Sequence, residues 1–134
     1  THAESKYRIW SSRDIFTNHE CLKSFMETKV NPNYEFHNLQ LEKMSLEDQI
    51  RYFDSACVVI AQHGAGLANI LWMRKKSIVI ELGYQSKIYF QNLSSILKHN
   101  YILFDYDEKH IEVDCTALHS KLLANDLTRP YFRE

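Results

Sequence analysis

A continuous apolar run, Ala56-Cys57-Val58-Val59-Ile60-Ala61, reads as a buried strand and leads into the segment where the chain concentrates its glycines. Two of only three, Gly64 and Gly66, fall in His63-Gly64-Ala65-Gly66-Leu67-Ala68. Beyond them, the apolar residues of Leu67-Ala68-Asn69-Ile70-Leu71-Trp72-Met73 recur at helical spacing. A strand, a glycine turn and a helix start leave little choice of backbone path. First-turn N–H groups then point outward at the positive end of the helix dipole. Phosphate is the natural ligand of such a place, so a nucleotide diphosphate is the expected ligand class.

The rest of the chain supplies the sheet this unit needs. Strand and helix signals alternate with short connections, which implies a parallel sheet with helices on both faces, a Rossmann-like α/β fold. Tyr7–Ser11 reads as a first strand. Thr17-Asn18-His19-Glu20 has the form of a capping box, opening a helix with Leu22, Phe25 and Met26 on one face and Pro32 beyond it. Tyr34–Leu39 reads as a weaker second strand. Ser45 caps a second helix lined by Leu46, Ile50 and Phe53, and the 56–61 run is the third strand. Ser77–Leu82 makes a fourth, ended by Gly83. Ser86 then opens a helix carrying Tyr89, Phe90, Leu93, Ile96 and Leu97 in amphipathic register. Tyr101–Phe104 is a fifth strand, a last helix covers about 115–125, and Pro130 stops further winding. With no internal repeat or linker, residues 1–134 read as one domain.

Composition narrows the partners. A net charge of −1 and no long basic stripe argue against nucleic acid. No apolar run approaches the roughly 18 residues of a membrane helix. Thr1-His2-Ala3-Glu4-Ser5-Lys6 is no signal peptide, and the start looks cut from a longer chain. Cys21, Cys57 and Cys115 lack metal-ligand spacing and read as buried thiols.

Ligands of open parallel sheets bind beyond the carboxyl ends of the strands. On that rule Arg13, His63 to Gly66, Glu81 and Asp105 to Asp107 could share one rim. Gly64 and Gly66 keep a Cβ out of an anion's way, so that the amides of Ala65, Gly66 and Leu67 can donate to it; the same glycines also suit a plain tight turn. Arg13 has a guanidinium that can clamp a diphosphate with two parallel hydrogen bonds; a solvated surface arginine is the alternative reading. His63, between strand and turn, can donate to phosphate, shuttle a proton or bond neighbouring backbone. Glu81 closes an apolar strand, where a carboxylate needs a partner such as a ribose hydroxyl or a helix end.

Other phosphate motifs fit less well. The glycine run lacks the Lys-Ser/Thr of a P-loop, and Asn69 stands where a dinucleotide fingerprint has its third glycine. Glu81 follows Gly64 by 17 residues, near the fingerprint's ribose acid, so a nicotinamide-dependent oxidoreductase stays open as an alternative. Asp105-Tyr106-Asp107 spells the Asp-x-Asp with which some sugar transferases hold a divalent ion. Arginine and helix amides leave less need for a metal, and none is expected. The Arg74-Lys75-Lys76 run reads as a solvated loop.

From about Tyr7 to Tyr106 the chain resembles the C-terminal domain of glycosyltransferase family 61. The most specific piece is His63-Gly64-Ala65-Gly66-Leu67-Ala68-Asn69, flanked by Val58-Val59-Ile60 and Val79-Ile80-Glu81-Leu82. Ser45-Leu46-Glu47-Asp48-Gln49-Ile50 resembles that family's Ser-x-x-Glu-Gln-Ile. Asn18, Glu20 and Leu22 resemble its Asn-Glu-x-Glu-Leu helix start, Ser12-Arg13 resembles the end of its first strand, and Tyr89-Phe90 also recurs there. The resemblance implies a GT-B enzyme with its active site between two Rossmann-like domains, of which this chain is similar to the donor-binding half. It also implies inverting transfer from a nucleotide-diphosphate sugar, UDP-linked by expectation, to a glycan or protein hydroxyl, without a bound metal. Arg13 and residues 63–67 with Asn69 would hold the diphosphate, and Glu81 the ribose or base. The general base would come from the other domain, with His63 as the candidate within this chain. A non-catalytic nucleotide-binding or interaction module is the alternative if the second half is lacking. Two departures stand out: no second arginine lies between Asp14 and Asn18, and Lys75-Lys76 replaces the family's usual Pro-Gly. Cytoplasmic bacterial or viral members and Golgi or ER lumenal eukaryotic ones share these motifs, so the compartment stays open.

Overall fold

Five strand runs pair into one parallel sheet. A computed structural model of the chain describes residues 6–10, 19–62, 65–83, 88–105 and 113–134. Its strands are β1 (Lys6–Trp10), β2 (Glu35–Leu39), β3 (Ala56–Gln62), β4 (Ile78–Gly83) and β5 (Asn100–Asp105), in the spatial order β2-β1-β3-β4-β5. All four pairings are parallel. The α-helices are α1 (His19–Lys29), α2 (Leu46–Ser55), α3 (Tyr89–Leu97) and α4 (Cys115–Ala124). This is the expected Rossmann-like α/β arrangement.

The order explains which face each helix covers. From β1 to β2 the chain steps one way along the sheet; from β2 through β3 and β4 to β5 it steps the other way. Right-handed crossovers put connections running in opposite directions on opposite faces. Accordingly Leu22 and Met26 of α1 pack with Leu118 and Leu122 of α4 on Val58, Ile60, Ile78, Ile80 and Leu82. On the other face Phe53 of α2 and Leu67 and Ile70 pack on Val59, Ala61 and Val79, flanked by Phe90, Leu93 and Leu97 of α3. Val58, Val59 and Ile60 are 0% exposed, as a central strand covered on both sides must be.

Local chemistry sets the boundaries. The Ser45 side chain accepts from the Asp48 amide at 3.1 Å, the expected cap of α2. Leu46, expected on the buried side, is instead 64% exposed, while Phe53 is fully buried. As the first helical residue, Leu46 has no neighbouring element over it. In α3, Phe90, Leu93 and Leu97 form the packed stripe; Tyr89 and Ile96 lie about 100° round the helix and are exposed. Gly83 is the last residue of β4 and not the break after it. Pro130 sits within a short 3₁₀ turn, Arg129–Tyr131. Cys57 and Cys115 are half-buried thiols outside any disulfide, so neither is the fully buried thiol expected. Thr17, Asn18 and Ser86 lie outside the described residues.

The C-terminus is strapped to α1. Val30 and Phe132 form an isolated bridge, the Arg133 amide donates to the Lys29 carbonyl at 2.8 Å, and the Asn31 amide donates to the Tyr131 carbonyl at 2.9 Å. Phe132, 5% exposed, closes that end of the core.

Candidate functional site

In a sheet of this order, the crevice opens where successive connections leave to opposite faces, between β1 and β3. Trp10, the last residue of β1, is in register with Ala61 of β3, so the two strands end side by side. Arg13 follows Trp10 by three residues in the sequence, and His63 and Gly64 follow β3; all three lie outside the described residues. The backbone resumes with Ala65 and Gly66 as the first two residues of a helix running to Trp72 on the α2 face.

That helix is 3₁₀, not the α-helix its apolar pattern suggests. Leu67 and Ile70 are fully buried and Met73 nearly so, a spacing of three that matches a helix of three residues per turn. An α-helix would also bury Leu71, which is 52% exposed. Eight residues is a long run for this weaker geometry, and side chains around it hold it in place. Gln49 of α2 is the centre of that support. Its Nε2 donates to the carbonyls of Leu41 at 3.0 Å and Met44 at 3.2 Å, and its Oε1 accepts from Asn69 Nδ2 at 3.0 Å. Trp72 Nε1 in turn donates to Asn69 Oδ1 at 3.2 Å. His99 Nε2 lies 2.8 Å from the Ile70 carbonyl and secures the buried side.

Asn69 was expected among the diphosphate ligands on sequence grounds; in the structure its amide is turned to α2. The residues quoted separately as Ser45…Gln49 and as His63…Asn69 thus meet. Gln49 and His99 are absent from the sequence-derived site. For Gln49 the signal lay in the motif itself; for His99 there was none.

Glu81 lies inside β4, in register with Ala61, and is 2% exposed. Its carboxylate accepts a short hydrogen bond from the Tyr101 hydroxyl of β5. Burial, and then the bond to and charge of Glu81, push the Tyr101 pKa well above the usual tyrosine range, so it remains a donor. The partner demanded by a carboxylate in an apolar strand is therefore at least in part a phenol from the next strand. Asp105 ends β5, while Tyr106 and Asp107 lie outside the described residues. No described helix is long and apolar enough to cross a membrane.

Of the sequence-predicted site residues that are described, Ala65 to Leu67 and Asn69 follow β3, and Glu81 lies one strand over, tied to Tyr101. No curated protein matches the chain significantly. The family model described as Glycosyltransferase 61 matches residues 2–80, more than half of the 134. The matched stretch runs from before β1 into β4, taking in Arg13, the glycine turn and Asn69 and stopping one residue short of Glu81. On that match, the chain belongs to the glycosyltransferase 61 family.

Proposed function

We propose that this chain supplies the donor site of an inverting GT-B glycosyltransferase that takes a nucleotide-diphosphate sugar, UDP-linked by preference. The observation that supports the reading is that β3, which the glycines follow in sequence, ends at the reversal of strand order, where sheets of this kind bind nucleotides. The amides of Ala65, Gly66 and Leu67 would donate to the diphosphate with Gly64 allowing close approach, and Arg13 would clamp it from the β1 side. Asn69 and Gln49 act behind the site, keeping the 3₁₀ helix aimed. Glu81, bonded to Tyr101, would meet the ribose or base.

Transfer would be a direct displacement. An acceptor hydroxyl oxygen, on a glycan or protein, bonds to the anomeric carbon as the bond from that carbon to the diphosphate oxygen breaks. The hydroxyl proton passes to a base, for which His63 is the candidate in this chain and the second domain of a GT-B enzyme the more favoured source. Negative charge grows on the leaving diphosphate, so Arg13 and the helix amides bind the transition state more tightly than the ground state. With that charge met by these groups, no metal is required.

Calorimetric titration with UDP and other nucleoside diphosphates tests the site. Saturable binding that Gly66→Val abolishes while the far-UV spectrum holds is the expected result. Binding weaker than millimolar to every nucleotide, or retained in Gly66→Val, refutes it.

A further inference from the structure

We propose a second anion site, for a phosphate or sulfate monoester group, at the end of the sheet opposite the glycine turn. A cavity of about 210 Å³ opens at the amino-terminal ends of β3 and β4. Arg74, Lys75 and Lys76, between the 3₁₀ helix and β4, line it together with Asp54, Cys57 and Tyr131. Asp54 is the one acid in that lining, and its carboxylate lies 4.0 Å from Arg74 Nε. Among the described residues neither Lys75 nor Lys76 has an acidic partner, so the cavity carries excess positive charge.

The turn bearing these cations is rigid. The Lys76 amide donates to the Lys98 carbonyl at 2.8 Å. The Asn100 side chain donates to the Lys76 carbonyl at 3.1 Å. Lys76 has φ 70° and Lys98 φ 64°, left-handed values that glycine or asparagine adopts at less cost. Lysine thus stands at two positions whose backbone geometry glycine adopts at less cost. Tyr131 lines the cavity beside Cys57, and burial first, then the nearby Cys57, push its pKa up to about 12, so its hydroxyl keeps its proton. The volume is below the roughly 300 Å³ where pockets for whole small molecules begin, so one monoester group fits and a nucleotide sugar does not. This inference is independent of the donor site.

Cys57 serves as a reporter. With ¹⁵N-labelled chain and inorganic phosphate, saturable amide shifts at residues 57 and 74–77 are expected. Iodoacetamide alkylation of Cys57, followed by peptide mass, should slow several-fold at saturation. Lys75→Glu should abolish both effects. Lys76→Gly relieves the left-handed backbone, so it should stay folded while weakening phosphate at least several-fold. Vesicles containing phosphatidic acid, whose headgroup is a phosphate monoester, run in parallel assign the source: protection by vesicles alone points to a lipid headgroup, and protection by free phosphate to a soluble ligand. Shifts confined to residues 65–67, or Cys57 alkylation unchanged by both probes, overturn the proposal and leave the cations as complements of Asp54 and the carboxyl end of α2.

Discussion

Gln49→Leu tests whether the 3₁₀ helix beside the glycine turn is held by side-chain hydrogen bonds. Leucine is close to glutamine in size, so the change removes three bonds, to Leu41, Met44 and Asn69, with little loss of packing. Each such bond contributes about 1 kcal/mol net. The site is part-buried, so solvent recovers some of the loss, and the expected cost is about 2–3 kcal/mol. That is a large fraction of the roughly 5–15 kcal/mol available to a domain. Urea unfolding gives the number directly, and the melting temperature should fall by roughly 10 °C. Gln49→Glu sharpens the test. It keeps an acceptor for Asn69 but turns negative charge on two carbonyls, so it should be destabilised at pH 7 and recover part of the loss below about pH 4, where a protonated glutamate can donate again. In a cycle with Asn69→Leu, the Gln49–Asn69 pair should couple by about 1 kcal/mol. If Gln49→Leu costs under about 0.5 kcal/mol and Gln49→Glu unfolds like the parent at every pH, the network does not hold the helix and the reasoning fails.

Three further outcomes are expected. Ser45→Ala removes the cap of α2 and should cost about 1 kcal/mol, whereas Leu46→Gln, at an exposed position, should stay within about 0.5 kcal/mol; chemical denaturation reads both. Phe132→Ala opens a void where the C-terminal segment meets α1 and should cost roughly 3 kcal/mol, with faster proteolysis beyond Asn125 as a second reading. Tyr101 and Tyr131 have folded pKa values above the unfolded value near 10, so the unfolded chain sheds protons that the folded chain retains. Their contribution is complete below pH 10 and is lost as pH climbs toward 12 for Tyr131 and beyond that for Tyr101. Absorbance at 295 nm should show a late-ionising step that Tyr101→Phe and Tyr131→Phe each reduce; a late step unchanged in both variants would contradict the burial of these two side chains.

The local pattern carried the strands and the described cap Ser45 because their causes are local. A central run such as 56–61 must be apolar throughout, and Ser45 lies three residues from the amide it caps. Periodicity misled where the outcome depended on what lay opposite. Leu46 and Ile96 fit an apolar register, but nothing packs over them, and Leu71 reads as α-helical although the chain there winds three residues per turn.

The partners of Asn69 and Glu81 were beyond any sequence pattern. Gln49 is 20 residues from Asn69, and Tyr101 is 20 residues from Glu81, on a neighbouring strand. Sequence by itself determined an α/β chain with glycines after its third strand, because apolar runs, caps and glycines act over a few residues. Only the tertiary structure decided that the third strand ends at the reversal of strand order, that Asn69 faces α2, and that Glu81 is answered by a tyrosine. Strand order and side-chain pairing across the sheet come from closing long stretches of chain on one another, and no short segment encodes that.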